Sequence, residues 1–315
     1  MNKKTIKISA CTVFALLAFA GNSVLCRLAL GGNAIDAASF TMIRLLSGIA
    51  ILMVVVAMTK RPKKGQSRGS WLAACLLFVY ALAFSYGYLS LDTGTGALIL
   101  FAAVQITMIA VGIVSGNRLH VAEWLGLFIA FSGFVYLILP SVTTPSLMGF
   151  LLMTLSGIAW GGYTLAGRSS TQPLADTAYN FLRTSPFVLI LLVFTLRDAH
   201  VTQQGVLLAI VSGAIASGAG YAVWYFALRG LSVTQAAVVQ LCVPIIAAMG
   251  GVLVTHESIT LRLAESSALV LGGILMVILG RHYFVSRAVV SPATQDRVRG
   301  RGSLLNNNFD YISRD

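Results

Sequence analysis

Residues 94–115 read GTGALILFAAVQITMIAVGIVS and contain no charged side chain. As an α-helix rising about 1.5 Å per residue, a segment of this length measures about 33 Å, which is enough to cross the roughly 30 Å hydrocarbon core of a bilayer. The segment does not alternate apolar and polar residues in the way that a strand of a membrane barrel does. It therefore predicts a transmembrane helix.

The rest of the chain repeats this pattern. Only 10% of the 315 residues are charged and 57% are hydrophobic, whereas about 25% of the residues of a typical soluble domain are charged. This composition excludes a water-soluble globular enzyme. The links between the apolar runs are short, so we expect neighbouring helices to be antiparallel. We predict an all-α membrane protein with ten transmembrane helices, at residues 8–28, 38–58, 71–91, 94–115, 121–139, 147–166, 174–196, 204–226, 233–254 and 262–284.

The basic residues predict how the bundle is oriented. With the N-terminus in the cytoplasm, seventeen of the 22 Lys and Arg residues lie on the cytoplasmic side, many of them at the two termini and at 60–64, and only Arg27, Arg197 and Arg262 lie on the other side. Such a bias is the positive-inside pattern of multi-pass membrane proteins. It accounts for the net charge of +12 without a nucleic-acid partner. We expect a bacterial-type inner (plasma) membrane protein with both termini in the cytoplasm and the lipid bilayer as its surroundings.

The two halves of the chain resemble each other at an offset of 140 residues, at which Val114 matches Val254 and Gly133 matches Gly273. Two copies of a five-helix unit insert in opposite orientations because five is odd, and this inverted repeat is typical of secondary transporters. We therefore predict a first repeat at 1–140, a second at 141–284 and a disordered basic cytoplasmic tail at 285–315.

The N-terminal segment also resembles a cleavable signal peptide, because Lys3, Lys4 and Lys7 precede an apolar stretch that contains Ala18-Phe-Ala20. The apolar stretch continues to Leu28, however, and the repeat requires a helix here. We expect this helix to be retained.

A further motif links the second half to a known family. The segment YFALRGLSVTQAA at 225–237, followed by Pro244, by Glu257 and by the glycines at 272–273, resembles the second half of EamA-like carriers of the drug/metabolite transporter superfamily. The first half is similar to a degenerate copy of the same unit. The resemblance implies a helical bundle around a central cavity that carries small metabolites, often outward.

The two charges that lie well inside the predicted spans, away from the span ends, are both positive. Arg44 lies in the second helix and Arg183, predicted to be deeper, in the seventh, whereas none of the ten carboxylates lies near the centre of a span. Either arginine could bind an anionic group of a substrate, because a guanidinium matches a carboxylate in shape and charge. Either could instead be a structural residue that reaches the interface or binds backbone carbonyls. The absence of a central carboxylate argues against proton coupling through a buried glutamate.

Uncharged polar and aromatic residues form stripes at helical spacing on several predicted helices. A buried amide must find hydrogen bonds, and a ring can stack on the apolar part of a substrate. The alternative for each stripe is a packed contact between helices. Beside the two arginines, the candidates for a substrate cavity are Asn22, Gln105, Trp160, Tyr163, Tyr221, Trp224 and Gln240.

Two prolines within predicted spans, Pro186 and Pro244, predict bends because proline interrupts helical hydrogen bonding. Transporters place hinges at such bends. A packing role is the alternative for Pro186.

These features predict a secondary transporter that moves a small polar or amphipathic metabolite such as an amino acid, outward, by alternating access. We expect a polar central cavity that reaches one membrane face. The sequence shows no nucleophile–base pair, phosphate-binding glycine loop or group of metal ligands, so we expect no enzymatic activity, no cofactor and no metal. The expected partner is the small-molecule substrate, and the protein is expected to be a monomer or a homodimer. The alternative is a membrane sensor or assembly component that transports nothing.

Overall fold

The computed structural model describes residues 3–59, 69–116, 119–139, 145–167, 170–228, 230–231 and 239–289. Within these ranges the chain is helical, and its one extended pairing is the isolated bridge between Ile35 and Val201. The helices of the described ranges are α1 (Lys3–Gly31), α2 (Ala37–Met58), α3 (Trp71–Gly87), α4 (Thr93–Val114), α5 (Val121–Ile138), α6 (Leu147–Gly167), α7 (Pro173–Asp198), α8 (Gln203–Leu228), α9 (Cys242–Val254) and α10 (Leu261–Val289).

The all-α architecture predicted from the sequence is confirmed. Of the ten helices in the described ranges, seven are long and apolar enough to cross a membrane, and α3, α5 and α9 are shorter. The basic segment 60–64 and residues 290–315 lie outside the described residues, whereas α10 continues to Val289, beyond the predicted start of the tail. The inverted relation between the two halves stays a prediction.

Two helices are irregular. The seventh is interrupted by a turn at Arg183–Thr184, and Pro186 lies in the first turn of the helix that resumes at Ser185, where a missing backbone N–H costs little. The eighth contains a π-helical segment, Ser212–Ala219. Near Pro244, a turn at Leu241 precedes α9. Both prolines therefore lie next to breaks in helical structure.

Glycines allow the closest contacts between helices. On α6, a Cβ added at Gly157 would lie 2.5 Å from Cβ of Ala103 on α4. In the pair formed by α5 and α10, a Cβ at Gly273 would lie 2.5 Å from the carbonyl oxygen of Gly126. Such contacts between small residues are the usual way in which membrane helices associate, because lipid provides no hydrophobic drive between them.

The outer surface of the bundle carries large apolar side chains. Phe128 on α5 is 70% exposed, and Phe194 on α7 is 78% exposed. In water such a surface would aggregate, but a bilayer solvates it. The polar side chains that are buried, by contrast, lie mainly on α1, α2, α4 and α7, and α8 adds Ser212 and Ser217.

The link between α1 and α2 is joined to the link between α7 and α8. The backbone N–H of Asp36 donates to the carbonyl of His200 at 2.9 Å, and the His200 N–H donates to the Asp36 carboxylate at 3.0 Å. Burial acts to raise the pKa of Asp36, but hydrogen bonds from Ser39 and His200 outweigh it and lower that pKa below its ordinary value. The two links therefore lie at the same end of the bundle.

Candidate functional site

A pocket lies in the interior of the bundle, between α1, α3, α4, α6 and α8. Its volume is about 10 Å³, which is room for roughly one water molecule. Three of the residues predicted from the sequence, Asn22, Trp160 and Tyr221, line it. The full lining is Phe19, Asn22, Tyr80, Phe84, Leu100, Phe101, Trp160, Ala216 and Tyr221.

Aromatic rings form most of the pocket wall. The ring centroid of Trp160 lies 4.7 Å from that of Tyr80 and 4.8 Å from that of Tyr221. Phe19 packs on Tyr221 at 5.8 Å and on Trp224 at 5.7 Å, both edge to face. These distances are typical of favourable aromatic pairs. The pocket is therefore closed by packed aromatic rings.

Arg44 lies beside this pocket and is only 2% exposed. Its Nη2 donates to the Tyr80 hydroxyl at 2.9 Å and its Nε donates to Oγ of Ser217 at 3.2 Å. The guanidinium also lies over the rings of Tyr80 and Phe84, at 5.2 and 4.8 Å from their centroids. Among the described residues, its Nη1 has no hydrogen-bond partner and no carboxylate forms an ion pair with it.

A buried cation is costly unless it is paired and fully hydrogen-bonded. The guanidinium of Arg44 donates to two hydroxyl groups and lies against two aromatic rings, but its Nη1 has no acceptor among the described residues. Nη1 can therefore donate a hydrogen bond to an anionic oxygen.

The π-helical segment of α8 supplies the other polar groups. Ser212 donates to Oδ1 of Asn22 at 2.5 Å, and Asn22 donates to the Tyr80 hydroxyl at 3.4 Å. Ser212 and Ser217 are five residues apart, which would place them on different faces of an α-helix, whereas a π-helix closes its hydrogen bonds every five residues and brings them closer to one face. The π segment thus positions one serine on Asn22 and the other on Arg44.

Four other predicted residues lie outside the pocket lining. Tyr163 packs on Trp160 at 5.4 Å, Trp224 packs on Phe19, and Gln105 is 3% exposed. The hydroxyl of Tyr163 and Nε2 of Gln105 have no partner among the described residues. Gln240 is half-buried just before α9.

Arg183 is placed differently from Arg44. It is half-buried in the turn that interrupts α7, with its guanidinium 5.6 Å from the ring centroid of Trp71 at the beginning of α3. Within the protein, Arg44 is the more buried of the two arginines. The expectation that Arg183 lies deeper along its span stays a prediction.

Sequence reasoning missed Tyr80, Phe84 and Ser212. A signal existed on α3, where Tyr80, Phe84 and Tyr88 follow one another at spacings of four residues and therefore share one helical face. For Ser212 no such signal existed, since its role depends on the π segment. The expected polar cavity open to one membrane face is also not what the described residues form, because the pocket here is small and largely aromatic.

Within the described ranges, the helical bundle with its apolar outer surface and its buried polar interior is that of a multi-pass membrane protein. Residues 147–279 match the EamA-like transporter family. The uncharacterized protein PA1977 of Pseudomonas aeruginosa is 50% identical over 86% of this chain and 94% of its own length. An uncharacterized transporter of Archaeoglobus fulgidus is 24% identical over 90% of this chain and 100% of its own length.

A protein of known crystal structure shares the fold, with a TM-score of 0.60 and 16% identity over 86% of this chain and 98% of that one. The chain therefore belongs to the EamA-like transporter family and is a membrane transporter.

Proposed function

We propose that this protein is a secondary transporter that moves a small polar or amphipathic metabolite such as an amino acid out of the cell by alternating access, with the central pocket as its substrate site. One observation carries the proposal: Arg44 is buried beside an aromatic pocket with Nη1 unpartnered among the described residues. The match to the EamA-like transporter family supports carriage of a small molecule.

The chemistry of binding follows from the groups around the pocket. A substrate carboxylate accepts hydrogen bonds from Nη1 of Arg44 and neutralises a cation that is costly to bury alone. Asn22 provides an amide for a second polar group, and the rings of Trp160 and Tyr221 pack on the remainder of the substrate. These contacts define a small molecule with one acidic and one flat or apolar part.

A pocket with room for one water molecule cannot hold a metabolite, so this conformation is the closed one of the transport cycle. Opening requires helices to separate around the pocket. The break beside Pro186 in α7 and the turn before Pro244 at the beginning of α9 are the hinges in this proposal. The repeats at 1–140 and 141–284 are the units that move, with both termini in the cytoplasm.

The substrate class is tested by flux. Counterflow in proteoliposomes with a panel of labelled amino acids and related carboxylates measures that flux directly. Saturable exchange for at least one of these solutes supports the proposed substrate class, whereas a complete absence of exchange across the panel would contradict it.

The role of Arg44 is tested with Arg44→Lys, which keeps the charge but loses the planar fork. We expect counterflow of the carboxylate substrate to fall by about tenfold or more, since a hydrogen bond to a charged group contributes about 1.5–3 kcal/mol and each 1.4 kcal/mol is a factor of about ten. Arg197→Lys, at the exposed end of α7, is the matched control and should leave counterflow unchanged. Normal counterflow in Arg44→Lys would remove Arg44 from the substrate site.

A further inference from the structure

Three charged residues from distant parts of the sequence meet where α1 and α9 end and α4 and α10 begin. Nε of Arg27 donates to Oε1 of Glu257 at 2.9 Å, its Nη2 donates to Oδ1 of Asp92 at 3.3 Å, and its Nη1 donates to the carbonyl of Tyr88 at 3.2 Å. We name Arg27, Asp92 and Glu257 the Arg27 cluster. It joins α1, the link from α3 to α4 and the link from α9 to α10.

Glu257 also caps a helix that is distant in sequence. The backbone N–H of Thr93, the first residue of α4, donates to Oε2 of Glu257 at 2.8 Å. A negative charge at a helix N-terminus is favourable because the first N–H groups have no partner within the helix. The end of α4 is therefore held by the α9–α10 link.

Asp92 occupies the N-cap position of α4 but does not cap it. Its backbone is extended, with φ −68° and ψ 157°, as an N-cap requires, yet its side chain makes no capping hydrogen bond. Aspartate is among the best N-cap residues. Here its carboxylate accepts a hydrogen bond from Arg27 instead. The N-terminus of α4 is therefore capped by the distant Glu257, although Asp92 stands in the position from which it could cap the helix.

The α9–α10 link has a shape that presents Glu257 to α4. His256 has a φ of +53°, in the left-handed region that residues with a side chain seldom adopt. A Cβ added at Gly251 would lie 2.5 Å from Oε2 of Glu257 and 3.0 Å from Cβ of Thr93. Only glycine allows Glu257 and Thr93 to approach each other here.

The two acids contribute differently to the cluster. Partial burial and the neighbouring Glu257 carboxylate raise the pKa of Asp92, against the lowering effect of Arg27. The Asp92 side chain is 56% exposed, so its ion pair contributes little to stability. The Glu257 side chain is 13% exposed and has both oxygens engaged, so its contacts hold the cluster together.

We propose that the Arg27 cluster is a latch that closes this end of the bundle, and that Asp92 takes over the capping of α4 when Glu257 leaves. This rests on the proposed alternating access. Leu100 and Phe101 of the pocket lining lie two turns into α4 from Thr93, so release of Glu257 frees the part of α4 that covers the pocket from this end. Because α4 is capped in both states, opening does not leave the first backbone N–H groups of α4 without an acceptor.

The proposal predicts opposite effects for the two acids of the cluster. Glu257→Gln weakens the closed state and should favour opening. Asp92→Ala removes the cap used only in the open state and should favour closure, whereas Asp92→Asn keeps a good N-cap and should resemble the wild type. If the three residues only formed ion pairs, the loss of either Asp92 or Glu257 would weaken the closed state, and both variants would favour opening.

The readout is the accessibility of the pocket. Ala216, which lines the pocket and is 4% exposed, is replaced by cysteine in a chain whose four native cysteines are changed to alanine. The rate of labelling by a membrane-impermeant maleimide is measured in right-side-out and in inverted vesicles. We expect Glu257→Gln to raise the labelling rate at the membrane face where the cluster lies by about fivefold or more, which corresponds to about 1 kcal/mol.

One further variant separates displacement of the Glu257 side chain from loss of its charge, and a second variant is a control. Gly251→Ala displaces Glu257 without changing any charge and should raise labelling as Glu257→Gln does. Glu265→Gln is the matched control, since Glu265 is an exposed acid near the same end of the bundle that accepts a hydrogen bond from Tyr136. It should leave labelling unchanged.

Unchanged labelling in both Glu257→Gln and Gly251→Ala would overturn the latch, and increased labelling in Asp92→Ala would overturn the exchange of caps. Thermal unfolding of each variant identifies one that has simply lost its fold, and the remaining variant then decides. Wild-type protein without counterflow would count against the proposed function, yet the labelling experiment would still give its answer.

Discussion

At the scale of single residues, Tyr80 connects the polar groups of the pocket. Its hydroxyl accepts hydrogen bonds from Arg44 and, over 3.4 Å, from Asn22. We predict that Tyr80→Phe leaves both donors without an acceptor and lowers the free energy of unfolding by about 1–3 kcal/mol. Thermal or denaturant unfolding in detergent measures the change.

Tyr136→Phe serves as the control for Tyr80→Phe. The Tyr136 hydroxyl donates to Glu265 at an exposed position, so its loss should change stability by no more than about 0.5 kcal/mol. If Tyr80→Phe is as stable as this control, Arg44 and Asn22 have found other partners and the network is not the stabilising unit.

Some residues of the site could be predicted from the sequence and others could not. Asn22, Trp160 and Tyr221 were predicted because a buried amide must find hydrogen bonds and because polar and aromatic residues at helical spacing share one face of a helix, and the structure places them in the pocket lining. Tyr80 and Ser212 were missed because spacing along one helix identifies a face but does not say which helices meet it. Whether these side chains bind a substrate stays a prediction.

At the scale of elements, the π-helical segment of α8 packs directly on α2. A Cβ at Gly213 would overlap the carbonyl oxygen of Arg44 and Oγ of Ser47. We predict that Gly213→Ala forces the two helices apart and destabilises the protein by about 1–3 kcal/mol, the usual cost of overpacking. Thermal unfolding measures this, and reduced counterflow should accompany it because Arg44 moves.

Gly272→Ala on α10 is the matched control, since a Cβ there meets nothing within 4 Å. The added methyl group should be neutral or slightly stabilising, as alanine is the better helix former. Equal stability of the two variants would show that α2 and α8 adjust to the methyl group without cost.

The elements were largely predictable, and their interruptions only partly so. Long uncharged runs indicate helices because backbone in lipid must satisfy its own hydrogen bonds. Pro186 and Pro244 indicated breaks, and breaks lie beside both. The π segment carried no such signal, because Ser212, Gly213 and their small neighbours fit an α-helix equally well.

At the scale of the whole molecule, charge predicts orientation. We expect Ala199→Cys, in the exposed link between α7 and α8, to react with an impermeant maleimide in intact cells. Thr171→Cys, in the exposed link before α7, should react only after the cells are permeabilised, because the two links flank α7 and the basic residues favour the cytoplasm for the second. The reverse pattern would contradict the predicted orientation.

The sequence predicted the class of fold, a bundle of membrane helices, but it did not predict which conformation the structure shows. Ten helices with short links follow from the hydropathy pattern, and the family follows from a few residues in the second half of the chain. An open polar cavity was expected, yet the described residues enclose a pocket for one water molecule. A transporter sequence must be compatible with several conformations, so composition alone does not say which one is observed.

In the proposed transport cycle, any displacement of the buried Arg44 charge across the membrane would couple that step to the membrane potential. An arginine is charged at any physiological pH, and a membrane potential of about 100 mV changes the free energy of one charge by about 2.3 kcal/mol if that charge crosses the whole field. In the empty transporter no described carboxylate cancels this charge, whereas a bound anion would. If Arg44 crosses part of the field in the proposed cycle, we expect the membrane potential to act on the return step of the empty protein and much less on the loaded one.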